Sequence, residues 1–320
     1  MPTVSPRLDK WLTEMNALLD EAARNGYKQT PVNTREGLDN LTRGLTNPRI
    51  PMHWVRDDII IAPNAYPVPV RIYHPDEHKA LPVLIYYHGG GHMAGSVSLY
   101  DPICRKLAVN TQHIVVSVEY RLAPECPYPA GLTDAYNAAR FVWQVLDQRR
   151  VNYQRSLRIG GDSGGAALSA TVAHRAQYDK SIDIDAQLLI YPSLDYTLSQ
   201  PSIEENHEGF LLHTEKIHWY FDHYFQQAED RKQASPLFME VTPAYPRTLV
   251  VTAEFDPLRD EGWLYVDRLQ QAGIEAELLH FDDMIHAFMN MEKLVPDETL
   301  KVYQEAGRFL NSLNSGGVHS

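Results

Sequence analysis

Residues 157–168 read Leu-Arg-Ile-Gly-Gly-Asp-Ser-Gly-Gly-Ala-Ala-Leu, an apolar strand that passes into an alanine-rich helix across one glycine-flanked serine. Gly161, Ser163 and Gly165 fit the spacing Gly-x-Ser-x-Gly, which holds a serine on a tight strand-to-helix turn with its hydroxyl exposed at the end of a sheet. Glycine is required two residues either side because a Cβ there would meet the backbone of a neighbouring strand or helix. The helix that starts just after Ser163 offers unpaired N–H groups to a developing negative charge. A pattern with three fixed positions recurs by chance in long chains. Its meaning depends on what the remaining residues supply.

The rest of the chain repeats the same strand-then-helix rhythm. Residues 54–62 and 68–73, separated by Pro63-Asn64, form a predicted hairpin. Residues 81–87 and 114–118 are continuous apolar runs, as expected of strands buried on both faces. Further strands are expected at 157–160, 187–191, 248–253 and 277–281, and helices at 100–109, 131–147, after Ser163, at 257–272 and at 298–313. Eight strands, the first two adjacent and the later ones separated by helices, imply an α/β fold: a mostly parallel sheet covered by helices on both sides. An amphipathic helix over 7–24 precedes them, with Leu8, Trp11, Leu12 and Met15 on one face, and 26–52 reads as a connector rich in Gly, Pro and polar residues. The stretch between the strands at 187–191 and 248–253 is too long for a plain crossover. Its Ile217, Tyr220, Phe221, Tyr224 and Phe225 mark an aromatic helical face. We expect a helical cap made of residues 1–45 and 195–235 over a catalytic domain of residues 46–194 and 236–320. A Ser/Gly tail occupies 311–320.

A formal net charge of −12 argues against nucleic acid or an anionic membrane surface as the partner. The two cysteines, Cys104 and Cys126, are too few for a disulfide framework and lack metal-ligand spacing, so reduced thiols are expected. With no run of eighteen apolar residues and charged residues throughout the N-terminal helix, a cytoplasmic chain without stable membrane association is expected. The strand at 277–281 is a candidate exposed edge, which leaves a homodimer open.

A serine hydroxyl becomes a good nucleophile only when a base takes its proton, and the base needs an orienting carboxylate. Asp256 stands where the strand at 248–253 ends, with Pro257 suited to open the next helix. His286 lies beyond the strand ending at Phe281, in Asp282-Asp283-Met284-Ile285-His286, where Asp283 is a second candidate for orienting it. Both fall at strand carboxyl ends, where open α/β sheets gather their reactive groups. The order Ser163, Asp256, His286 is the one expected for this architecture. His88-Gly89-Gly90-Gly91 follows the buried strand 81–87 and can bring bare backbone N–H groups to a ligand oxygen, with His88 bracing the loop. His88 and His92 have the i,i+4 spacing of a helical metal pair, but three intervening glycines argue against a helix. No metal or organic cofactor is expected.

With these motifs in place, the chain resembles the bacterial hormone-sensitive-lipase-like (family IV) esterases of the α/β-hydrolase superfamily. The resemblance also rests on Tyr120-Arg121-Leu122-Ala123-Pro124-Glu125, Tyr191-Pro192 and Asp256-Pro257-Leu258-Arg259-Asp260-Glu261-Gly262, and spans residues 80–290. It implies an α/β-hydrolase fold and a serine carboxylesterase acting on short- to medium-chain acyl esters. Ser163 would be the nucleophile, His286 the base, Asp256 its carboxylate, and the N–H groups of Gly90, Gly91 and Gly164 the oxyanion hole. An amidase or lactonase would use the same triad, and a noncatalytic receptor on this scaffold would be expected to lose a triad member. The chain departs from the family at Gly164, where alanine is usual, and at Ala166 and Ala287, where glycine is usual. His92 replaces an apolar aromatic and Cys126 a histidine. Gly164→Ala is accordingly expected to be tolerated or to raise the rate, and Ala287 to be a packing adjustment.

Overall fold

The computed structural model describes residues 2–312, so the tail from residue 313 onward lies outside the described residues. Eight strands form one sheet: β1 (Trp54–Ile60), β2 (Val68–His74), β3 (Leu81–Tyr87), β4 (Ile114–Val118), β5 (Tyr153–Asp162), β6 (Ala186–Ile190), β7 (Arg247–Phe255) and β8 (Ala276–Ile285). Their order is β1-β2-β4-β3-β5-β6-β7-β8. Only β2 runs against its neighbours, pairing antiparallel with both β1 and β4, so the expected hairpin and the mostly parallel sheet are both present. β8 is an edge, as anticipated.

Among the described residues, ten α-helices connect and cover these strands: α1 (Pro6–Arg24), α2 (Pro31–Leu45), α3 (Asp101–Thr111), α4 (Ala130–Gln148), α5 (Gly164–Ala176), α6 (Ser202–Glu205), α7 (Thr214–Tyr224), α8 (Arg231–Ala234), α9 (Arg259–Gln271) and α10 (Pro296–Asn311). All seven residues of β3 are buried, and successive side chains feed opposite layers. Val83, Ile85 and Tyr87 pack with α4, α5 and α9, whereas Leu84 and Tyr86 pack with α1, α3 and α10. That division is the period-two pattern of a strand covered on both faces. A third apolar cluster, with Tyr196, Ile203, Ile217, Phe221, Tyr224 and Phe225, belongs to the segment between β6 and β7 and closes on Ala123, Ala167 and Leu258.

Three differences from the sequence reading bear on the site, beyond small shifts at other element ends such as β5, which starts at Tyr153. The supposed connector 26–52 contains α2, which is started by a reciprocal cap: Asn33 N donates to Thr30 Oγ1 at 3.3 Å and Thr30 N to Asn33 Oδ1 at 2.8 Å. Gly37 and Gly44 suggested a broken chain, but open space surrounds both, and Leu38, Leu41 and Leu45 pack on the core from one face. α9 begins at Arg259 rather than Pro257, because Asp256 Oδ1 takes the Leu258 N–H at 2.9 Å and holds residues 256–258 as a turn. β8 continues past Phe281 to Ile285, its register with β7 shifting between Ala253 and Phe255.

Candidate active site

β3, β5, β7 and β8 run parallel, so their carboxyl ends share one edge of the sheet. The residues that directly follow those four strands are His88, Ser163, Asp256 and His286. Sheet topology thus gathers four groups that are far apart in the chain.

Ser163 turns β5 into α5 with φ 53° and ψ −122°, a conformation that L-residues rarely adopt, and its N–H donates to Ile190 O at 2.9 Å. The flanking glycines are fixed by contact. A Cβ on Gly161 would stand 2.4 Å from Tyr87 O, and one on Gly165 would stand 2.0 Å from the same oxygen. Ser163 is half-buried, while Asp256 and His286 are buried. His286 Nε2 lies 3.0 Å from Ser163 Oγ, and its Nδ1 lies 2.8 Å from Asp256 Oδ2. A carboxylate accepts only, so Nδ1 carries the imidazole proton and Nε2 is left to accept from the serine. Asp283, the second candidate, makes no side-chain bond to His286; its carbonyl takes the Ser5 N–H at 3.0 Å. The Tyr191 ring packs against the imidazole at 4.9 Å.

The loop after β3 presents bare backbone N–H groups beside Ser163. Among the described residues, neither Gly90 N nor Gly91 N has an acceptor, and Gly164 N belongs to the unpaired first turn of α5. His88 braces this loop as expected: its Nδ1 meets Gly89 O at 2.9 Å, and its ring stacks on Tyr120, whose hydroxyl donates to His88 O at 2.6 Å. A stronger brace is Asp162, whose role the motif did not disclose. It accepts from Gly89 N at 2.8 Å, Tyr86 Oη at 2.9 Å and Tyr100 Oη at 2.9 Å. Burial pushes the Asp162 carboxyl above the usual carboxylate range and both phenols well above theirs, so the tyrosines stay protonated as donors. Tyr86 is legible as part of β3, but Tyr100 carries no sequence signal for this role, which follows from its place at the start of α3 with its ring 5.4 Å from that of His88.

Arg35 of α2 was also missed, because α2 itself was. Its guanidinium donates to Met93 O at 2.9 Å and Ala123 O at 3.0 Å and pairs with Glu125 at 2.6 Å, tying the N-terminal segment to the glycine loop. Across the site, a Cβ on Gly91 would stand 2.7 Å from the Tyr220 ring, so an aromatic of α7 lies directly over that loop.

The departures from the family pattern acquire causes. Ala287 has φ 62° and ψ 22°, the left-handed conformation that glycine adopts without penalty. The expected packing adjustment is therefore a backbone one. His92, also at positive φ (60°), stacks face to face on Tyr224 at 4.0 Å and bonds Tyr196 Oη through Nε2 at 3.1 Å. Burial pushes its imidazole down to about 3, so the ring is neutral. A Cβ on Gly164 would stand 3.1 Å from His92 N and 3.4 Å from its ring, which Tyr224 and Tyr196 hold in place. This reverses the expectation for Gly164→Ala. The added methyl should push on the glycine loop and lower kcat by about 10–100-fold, with KM changing less. Steady-state kinetics on a short aryl ester will read this, and adding His92→Ala should recover part of the rate. His88 and His92 do not converge as a metal pair: each ring has the separate partners given above. Cys104 is buried, Cys126 half-buried, and both are free thiols.

A scan against protein families matches residues 84–290 to the alpha/beta hydrolase fold. The chain belongs to that family, and within it to the hormone-sensitive-lipase-like (family IV) esterases. It is 37% identical over 236 residues to the carboxylesterase NlhH of Mycobacterium tuberculosis, covering 72% of this chain and 73% of the relative. To the ethyl acetate hydrolase of Pseudomonas putida it is 32% identical over 251 residues, covering 76% and 79%. In three dimensions it is similar to the hyperthermophilic esterase of the archaeon Pyrobaculum calidifontis. That likeness has a TM-score of 0.87 at 33% identity and covers 98% of this chain and 99% of the other. No helix among the described residues is long and apolar enough to cross a membrane.

Proposed function

We propose that Ser163, His286 and Asp256 are the catalytic triad of this carboxylic ester hydrolase, and that it acts on short- to medium-chain acyl esters through an acyl-enzyme. The observation that carries the reading is the single imidazole bridging Ser163 Oγ at 3.0 Å and Asp256 Oδ2 at 2.8 Å. Ser163 Oγ attacks the ester carbonyl carbon while its proton passes to His286 Nε2. The carbonyl electron pair moves onto oxygen, which the N–H groups of Gly90, Gly91 and Gly164 receive. As the C=O re-forms, the bond to the alkoxy oxygen breaks, and that oxygen takes the proton from His286. Water then attacks the acyl-enzyme in the same way, releasing the acid and restoring Ser163. Asp256 keeps the proton on Nδ1 throughout and stabilises the transient imidazolium.

Residues 1–45 and 195–235 act as the cap. Asn16 Nδ2 of α1 donates to Gly209 O at 3.0 Å, which joins the two parts. Tyr220 over the glycine loop supports a shallow acyl pocket, and the similarity to an ethyl acetate hydrolase agrees with short acyl groups. The test is a series of aryl esters from acetyl to dodecanoyl, with an anilide matched to the best of them. We expect kcat/KM to be greatest at the short end and the anilide to be turned over far more slowly, while a fluorophosphonate modifies Ser163 and ends activity. Equal turnover of the anilide would reassign the enzyme as an amidase; labelling elsewhere would remove Ser163 from the reaction.

A further inference from the structure

At the opposite edge of the sheet from the triad, three metal-ligating side chains converge. His53 directly precedes β1, and the register Trp54↔His74 sets it across from the segment leaving β2. That segment is a tight turn: Lys79 N donates to Asp76 O at 3.0 Å, and His78 N donates to Asp76 Oδ1 at 3.2 Å. The turn carries Glu77 and His78 to its tip, beside His53. One ligand atom from each of His53, Glu77 and His78 lies within 4.8 Å of the other two. His53 Nδ1 is 3.5 Å from Glu77 Oε1, and the two imidazoles meet edge to face at 5.3 Å. Among the described residues no Lys or Arg pairs with Glu77; the adjacent Lys79 is engaged by Asp76 at 2.8 Å.

We propose that His53, Glu77 and His78 form a surface site for a divalent transition metal of the zinc type, which clips the start of β1 to the turn between β2 and β3. Two imidazoles and a carboxylate are zinc ligands, held at about 2.0–2.2 Å, so tetrahedral donors stand about 3.3 Å apart. The side chains of His53 and Glu77 are 45% and 48% exposed, so they can turn by the small amount required and leave the fourth position to water. Magnesium and calcium, which take oxygen ligands, do not suit this donor set. The residues belong to two strand ends that must be paired for the ligands to meet. Binding therefore favours the folded chain.

The experiment is isothermal titration of the metal-free full-length chain with zinc chloride, together with thermal unfolding and ester hydrolysis at each zinc concentration. We expect a micromolar site of one equivalent, a rise in Tm on zinc addition, and an unchanged rate of ester hydrolysis. His53→Ala and His78→Ala should each weaken this site by at least about tenfold, as losing even an outer partner of a metal ligand does, and abolish the rise in Tm. His218→Ala, at another exposed histidine, should change neither. Each variant's Tm in metal-free buffer shows that it is folded. Absence of binding to the wild-type chain, or unchanged affinity and stoichiometry in both site variants, would overturn the proposal. Zinc inhibition that persists in both variants without a Tm rise would place the metal at the triad instead, and would also overturn it.

Discussion

Ser163→Ala should lower kcat on a short aryl ester by about 10⁶ and leave the circular dichroism spectrum and Tm close to native; Asp256→Asn should cost about 10⁴. Among the described residues the serine hydroxyl has one partner, His286, and its removal opens no cavity in the core. Alanine occupies the elbow with the same backbone strain as serine, so the fold has little to lose. The asparagine result follows from which atom faces which. Asp256 Oδ1 accepts the Leu258 N–H and Oδ2 faces His286 Nδ1. An asparagine keeps its carbonyl toward Leu258 and turns its NH₂ toward Nδ1, which must then accept. The imidazole proton moves to Nε2, the very atom that has to take the serine proton. Single-turnover kinetics would detect the loss in the acylation step, and retention of most activity by Ser163→Ala would falsify the nucleophile assignment.

Gly90→Ala should lower kcat by about 10²–10³, the usual cost of one oxyanion donor, while KM changes little. Gly90 has φ +120°, outside the range open to an alanine, and the new Cβ would stand 2.2 Å from Ala94 O. Relief requires rotating the Gly90–Gly91 peptide, which turns the Gly91 N–H away from the developing oxyanion. The rest of the loop stays pinned by Asp162 and His88, so the damage is to donor direction rather than to folding. The measurements are kcat and KM for a short aryl ester alongside Tm. A proportional loss in kcat and Tm would mean that the substitution unfolds the site instead of misdirecting it.

The readability of this chain followed the range over which each feature is encoded. β3 could be read directly because a strand covered on both faces needs seven consecutive buried residues. The elbow glycines could be read because steric demand there is absolute, and Tyr87 O confirms the clash at both positions. The ends of β7 and β8 pointed to Asp256 and His286, although β8 proved longer because a register shift, invisible in composition, carries it to Ile285. α2 was lost for a different reason. Its glycines lowered local helix propensity, while the leucine face and the Thr30–Asn33 cap that favour the helix gain their meaning from packing. Asp162 and Gly164 show the limit most clearly. Each was visible as a motif letter, but their partners Tyr100 and His92 are set by tertiary contact.

Asp162 couples the elbow to the glycine loop. It is joined to Ser163 by a single peptide bond and to the glycine loop by a hydrogen bond from Gly89 N, so the proposed attacking atom and the proposed charge-receiving loop share one mechanical anchor. A shift of the elbow carries the loop along with it, and their relative alignment tolerates displacement that would ruin two independently mounted parts. The segments above the sheet edge meet that loop at His92, which stacks on Tyr224, and at Met93, whose carbonyl Arg35 holds, so their movement reaches the loop through those two points. The alignment of Ser163 with the bare N–H groups is thus set from below by Asp162 and steadied from above by those two contacts.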